Sequence, residues 1–149
     1  MNPYLQKAAS MSPNVVERLV KLIPASEYDK ALEPGRFTIR EVVAHLADWE
    51  PILRQRMEDV LRNPGMTVQV FDEGTMAVEH RYAEKGVQES IQEWKRERAQ
   101  TLVLLMELTD KDMLLPYIHP ENGPMILGDQ ANMLVAHDMY HVDQLSRYL

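Results

Sequence analysis

The stretch FTIREVVAHLADWE, residues 37–50, decides the fold. Thr38-Ile39-Arg40-Glu41 fits a capping box: the Thr hydroxyl accepts from the third helical amide while Glu41 reaches back to the cap. From there Val42, Leu46, Trp49, Leu53, Met57, Val60 and Leu61 fall on one helical stripe, so a helix should run from this cap to Arg62. Pro51 lies inside it and should kink it or remove one hydrogen bond. Asn63-Pro64-Gly65 stops it.

Working outward, three more blocks have the same character. Residues 3–23 carry Val15, Val16, Leu19, Leu22 and Ile23 at helical spacing, with Pro13 either restarting a helix capped by Ser12 or kinking a continuous one. Residues 87–108 place Ile91, Trp94, Leu102, Leu105 and Leu108 inward, and residues 127–148 are helical again. Residues 66–86 are the least defined, with an extended piece at 67–71 and a turn or short helix before Gly86. Residues 109–125 form a loop with a hairpin around Pro120-Glu121-Asn122-Gly123. Four helices of roughly 20 residues, each about 30 Å long, predict an all-α four-helix bundle with long connecting loops, a single domain over residues 1–149.

Composition narrows the function. At 149 residues and 17.3 kDa the folded chain should expose roughly 7,800 Å² against about 25,000 Å² extended. That burial supports a core without a structural metal. Sixteen basic and twenty-three acidic residues give a net charge of −7, ill suited to a phosphate backbone, so no nucleic-acid partner is expected. No signal pattern opens the chain and no apolar run reaches membrane length, which predicts a soluble cytoplasmic protein without a membrane partner. The absence of cysteine removes disulfides, thiolate ligands and a protein thiol nucleophile. Histidine and carboxylate remain as metal ligands.

Five histidines occur, at 45, 80, 119, 137 and 141. His137 and His141 lie four apart on the last helix, with Cβ atoms about 6 Å apart on one face. Chance alone gives such a pair in roughly one chain in eight of this composition, so the spacing needs context. Its helical neighbours Met133, Leu134 and Leu145 are apolar, and two imidazoles facing a core need a metal or a polar network. Gln144 extends that polar stripe. His45 sits on the buried stripe of the second helix and is the third candidate ligand, whereas His80 and His119 fall in loops and are read as solvated. The pair also has zinc-protease spacing, but Asp138 stands where the base Glu belongs and no third ligand follows, which excludes that reading.

The capped FTIREVVAHLADWE segment, followed near the C-terminus by AHDMYHVDQL at residues 136–145, resembles the DinB/YfiT-like superfamily over essentially the whole chain. The resemblance implies a four-helix bundle of unusual connectivity and a divalent metal, zinc or nickel, held by His45, His137 and His141. It also implies a glutamine after the last ligand, matched by Gln144, and a homodimer. Its characterised members include transferases and isomerases that use low-molecular-weight thiols. Two positions depart from the common pattern: Tyr140 replaces an additional His, and Asp143 a small residue.

Three neutral histidines leave coordination positions open, as catalytic sites do. Without a cysteine, a thiolate must come from a small-molecule thiol. The leading expectation is therefore a metal-dependent S-transferase in which that thiolate attacks a small-molecule electrophile. A metal-dependent hydrolase with the same site and a non-catalytic metal-binding dimer are the alternatives. Gln144 and Tyr140 are the weak catalytic candidates. Glu41 and Asp48, one turn either side of His45, are candidates to orient an imidazole, with capping or solvation as their competing uses. Met57, Met133 and Met139 are read as gap-fillers in the core, and Trp49 and Trp94 as core or interface residues.

Overall fold

In the computed structural model, which describes residues 2–149, four long helices form the bundle: α1 (Pro3–Leu22), α2 (Ile39–Arg62), α4 (Val87–Glu107) and α5 (Leu127–Ser146). A short α3 (Glu73–Glu79) and a two-stranded antiparallel sheet, β1 (Pro116–His119) with β2 (Gly123–Ile126), fill the long connections. Helix α2 packs on α4 and α5, and α1 packs on α4 and α5. The exposed surface is 8056 Å², near the value that chain length alone predicts.

The capping box forms as expected: Glu41 N–H donates to Thr38 Oγ1 at 3.3 Å, and Thr38 N–H donates to Glu41 Oε2 at 2.8 Å. Helix α2 then runs through Pro51 without interruption. Helix α1 is likewise continuous through Pro13, so no second helix starts there. Ser12 is not a cap; its hydroxyl bonds back to the Ala8 carbonyl. The proline has no N–H to offer the carbonyl four residues earlier. That carbonyl, Ala9 O, accepts instead from Arg98 Nη1 at 2.7 Å.

The hairpin turns at Gly123, whose φ of 78° is the left-handed region that favours glycine. Residues 66–71 run beside β1 through a bridge between Thr67 and Ile118, but they form no strand of their own. Asp72 caps α3 by accepting from Thr75 N–H at 2.7 Å.

The apolar core is divided in two. One cluster gathers Trp49, Leu53, Met57, Leu105, Leu127 and Leu134; the other gathers Val16, Val20, Val43, Leu46, Ile91, Trp94 and Leu145. Between them, every long helix contributes a buried polar residue: Ser12, Glu50, Arg98 and Asp138. Both tryptophans belong to the core. Met57 is buried and Met133 packs against the core, but Met139 is 55% exposed and fills no gap, because its position on α5 faces away from the bundle. Among the described residues no helix is long and apolar enough to cross a membrane.

Candidate metal centre

Helix α2 presents His45 and α5 presents His137 and His141 to one point. His45 Nε2 lies 2.9 Å from His137 Nε2, which lies 3.2 Å from His141 Nε2. One ring nitrogen from each falls within 4.8 Å of the others. His45 and His141 are buried, and His137 is partly exposed. Aromatic rings wall the cluster: Phe37 and Trp49 stand 5.5 and 5.4 Å from His45, and Tyr140 stands 5.1 Å from His141, centroid to centroid.

Burial sets the protonation of all three. It drives His45 down to about 2, helped by repulsion from the other two rings. It drives His137 and His141 down to about 4, with Glu50 partly opposing the shift at His137 and Gln144 at His141. The rings are therefore neutral at neutral pH, with lone pairs to offer.

Gln144 fixes one tautomer. Its Oε1 lies 2.9 Å from His141 Nδ1, while its Nε2 points to the Phe37 carbonyl at 3.5 Å. With the amide oriented that way, Nδ1 carries the proton and the Nε2 lone pair of His141 faces the cluster. A single proton between imidazoles serves only one of the two short Nε2 contacts. His45 Nδ1 is buried without a partner. A cation where the three Nε2 atoms converge would satisfy their lone pairs, so these residues fit the group that the spacing suggested; His45 Nδ1, on the other side of its ring, is not reached from that point.

Other sequence candidates lie elsewhere. Glu41 is occupied by the capping box. Asp48 orients none of the three imidazoles: its Oδ2 accepts from Tyr82 Oη at 2.6 Å and meets His80 Nδ1 at 2.6 Å. His80 is thus half-exposed but paired, not simply solvated. His119 is only 6% exposed, because Nδ1 accepts from the backbone N–H groups of Glu121 and Asn122 in the hairpin turn. Tyr140 is 54% exposed and accepts from Arg36 Nη1 at 3.3 Å.

Beside the cluster lies an ion network that the sequence reading missed. Arg98 on α4 donates to both carboxylate oxygens of Glu50 on α2 and of Asp138 on α5, at 2.7–2.9 Å. Trp94 Nε1 adds a bond to Glu50 at 3.0 Å. Burial opposes charge on Arg98, yet the two carboxylates hold its pKa above the ordinary value. One signal was present: Arg98 interrupts the apolar stripe of Ile91, Trp94 and Leu105.

The fold and this cluster define a class: four-helix bundles that gather three histidines from the second and last long helices. The chain belongs to the DinB superfamily, whose model matches residues 8–145. It is similar to two proteins of Oceanobacillus iheyensis, each named provisionally as a metal-dependent hydrolase. One is 24% identical over 129 residues, 87% of this chain and 74% of the relative; the other is 22% identical over 134 residues, 90% and 77%. YfiT from Bacillus subtilis, described as a probable metal-dependent hydrolase with an unusual four-helix bundle topology, superposes with a TM-score of 0.91. That match is at 19% identity and covers 99% of this chain and 87% of that one. A mycothiol-dependent maleylpyruvate isomerase shares the fold at a TM-score of 0.75 and 14% identity, over 95% of this chain and 59% of that one.

Proposed function

We propose that His45, His137 and His141 hold one divalent cation and that the protein is a metal-dependent S-transferase, joining a low-molecular-weight thiol to a small electrophile. The observation that carries this reading is a pair of chambers flanking the cluster. One, of about 220 Å³, is lined by Trp49, Phe71, Met133 and His137. The other, of about 210 Å³, is lined by Arg36, Phe37, Tyr140, His141 and Gln144. Two chambers on one centre suit two co-substrates, and with no cysteine in the chain the thiol must be one of them.

A divalent cation held by neutral imidazoles supplies Lewis acidity, lowering the pKa of a thiol or water at neutral pH. The chain's own groups do the positioning. Gln144 holds His141 in its Nε2-acceptor tautomer, and Phe37 and Trp49 keep water from the back of His45. Tyr140, its hydroxyl tied to Arg36, lines the second chamber. A hydrolase built on the same centre is the second reading, favoured by what the relatives are named.

Elemental analysis of the purified protein should find close to one metal per chain, with the His45→Ala, His137→Ala and His141→Ala variants largely depleted. Equal, low metal across all four proteins would refute the centre. Thiol consumption with an activated aromatic halide, set beside water-dependent hydrolysis of an activated ester, separates the two reactions. Thiol consumption no faster than in the triple histidine variant would remove the transferase reading, and ester hydrolysis without thiol dependence would install the other.

A further inference from the structure

The chamber on the His137 side contains a guanidinium that no carboxylate contacts directly. Arg56 is 7% exposed, and among the described residues it makes one hydrogen bond, from Nε to the Gln69 carbonyl at 3.1 Å. Among the described residues no carboxylate comes within ion-pair distance of it; Glu121 acts on it only from further away. The guanidinium carbon stands 5.7 Å from the centre of the Trp49 ring. Neither Nη atom has a partner among the described residues and neither is sealed from solvent, so both are free to receive an acceptor from outside the protein.

Two further donors share the chamber. Trp49 is 8% exposed, and its Nε1–H is buried with no acceptor. His119 uses Nδ1 as an acceptor for two backbone amides, so the ring proton sits on Nε2 and is the donor that remains. Trp49, Arg56, His119 and His137 line this one cavity, with Glu73 and Glu121 among its other walls. Three donors, one of them charged, without acceptors inside the protein describe an oxyanion receptor. Glu73 and Glu121 add negative charge to the same walls, so an anionic group is favoured only against Arg56 and a second negative charge on the ligand is disfavoured.

We propose that this chamber is a carboxylate subsite: Arg56, Trp49 Nε1 and His119 Nε2 receive the carboxylate of a small monoanionic substrate. The donors pair with the carboxylate in the way guanidinium and carboxylate pair elsewhere. The assignment of that molecule as the electrophile rests on the transferase reading; the subsite itself does not. The substrate is then a small organic acid that lies with its anionic end at Arg56 and its remainder toward His137.

The test uses 4-fluorobenzoate and its uncharged counterpart 4-fluorobenzamide. Binding to the purified protein is followed by the ¹⁹F signal of the ligand and by the indole N–H signals of the two tryptophans. The benzoate should saturate and shift the Trp49 signal. The Trp94 signal, whose N–H is already bonded to Glu50, should stay in place and report that the fold is intact. Arg56→Gln should weaken the benzoate about ten- to hundredfold, Arg56→Lys less, and Trp49→Phe, read by ¹⁹F, several-fold. Equal binding of acid and amide, no binding of either, or affinity unaltered in both Arg56→Gln and Arg56→Lys would overturn the subsite. If the acid instead depends on His141 and not on Arg56, it is bound at the histidine cluster, and the subsite is again refuted. Metal content measured on the same samples judges the metal centre separately.

Discussion

Replacing Arg98 by Met puts the buried charge network to its most direct test. Arg98 is 2% exposed and makes five hydrogen bonds: two to Glu50, two to Asp138 and one to the Ala9 carbonyl freed by Pro13. Methionine is close in length and apolar, so packing is largely kept and electrostatics dominates the loss. Glu50 and Asp138, each 1% exposed, are left facing one another without a cation. Removing one partner of a buried pair costs about 3–5 kcal/mol. That is a large share of the roughly 5–15 kcal/mol a domain has, and it corresponds to about 6–20 °C in Tm for a chain of this size. The loss should depend on pH. Burial already raises the Asp138 pKa, with Arg98 as the chief opposing influence. Without the guanidinium the folded-state pKa rises further above the unfolded value. A group raised in this way favours the folded state below its unfolded pKa, and that advantage disappears as pH rises through the folded pKa. The destabilisation should therefore be smaller at pH 5 than at pH 7.5. Urea titrations followed by circular dichroism at both pH values measure it. Adding Glu50→Gln and Asp138→Asn to Arg98→Met should recover part of the loss. A cost below about 1 kcal/mol at pH 7.5, or one independent of pH, would refute the premise that this triad is a desolvated ionic unit.

Gln144→Leu removes the acceptor that sets the His141 tautomer and should weaken metal affinity about 10–100-fold, with Gln144→Glu retaining it; competition with a chromophoric chelator measures the change. The metal-free protein should lose stability as pH falls from about 6.5 toward 4, because the unfolded histidines take protons near 6.5 while His137 and His141 take them only near 4. Denaturation across that range, with the triple histidine variant for comparison, should show the slope flattened in the variant; equal slopes would contradict neutral burial of these rings.

The parts of the molecule that were legible in the sequence are those governed by short-range geometry. A capping box is complete within four residues, and Thr38 to Glu41 announced α2 accurately. The four-residue spacing of His137 and His141 specifies a shared helix face, and Leu46 and Trp49 mark His45 as inward-facing. What escaped depends on partners distant in the chain. Nothing near Pro13 says that Ala9 O will meet Arg98, so continuity of α1 could not be told from a restart. His119 is buried because a hairpin turns two amides onto its Nδ1, which its neighbours in sequence do not reveal. Asp48 is taken up by His80 and Tyr82, from the region whose pattern was weakest. His80 is paired where solvation was expected, and Asp48 serves His80 and Tyr82 where solvation, capping or an orienting role was open, for one reason: residues 66–86 fold back over α2.

The charged layer and the histidine cluster are also linked in their geometry. Glu50 follows His45 on α2, and Asp138 is adjacent to His137 on α5, so the two helices that supply imidazoles are the two that Arg98 grips. A guanidinium bonded twice to each carboxylate tolerates little sliding of either helix, since both bonds of a fork must lengthen together. Apolar packing alone permits small rotations at modest cost, and a rotation of α5 would carry His137 and His141 apart from His45. The polar residues between the two apolar clusters thus hold α2 and α5 at the separation that places three imidazole nitrogens within 4.8 Å. Precise first contacts of this kind require rigid support behind them. Here the support comes from α4, a helix that contributes no histidine to the cluster.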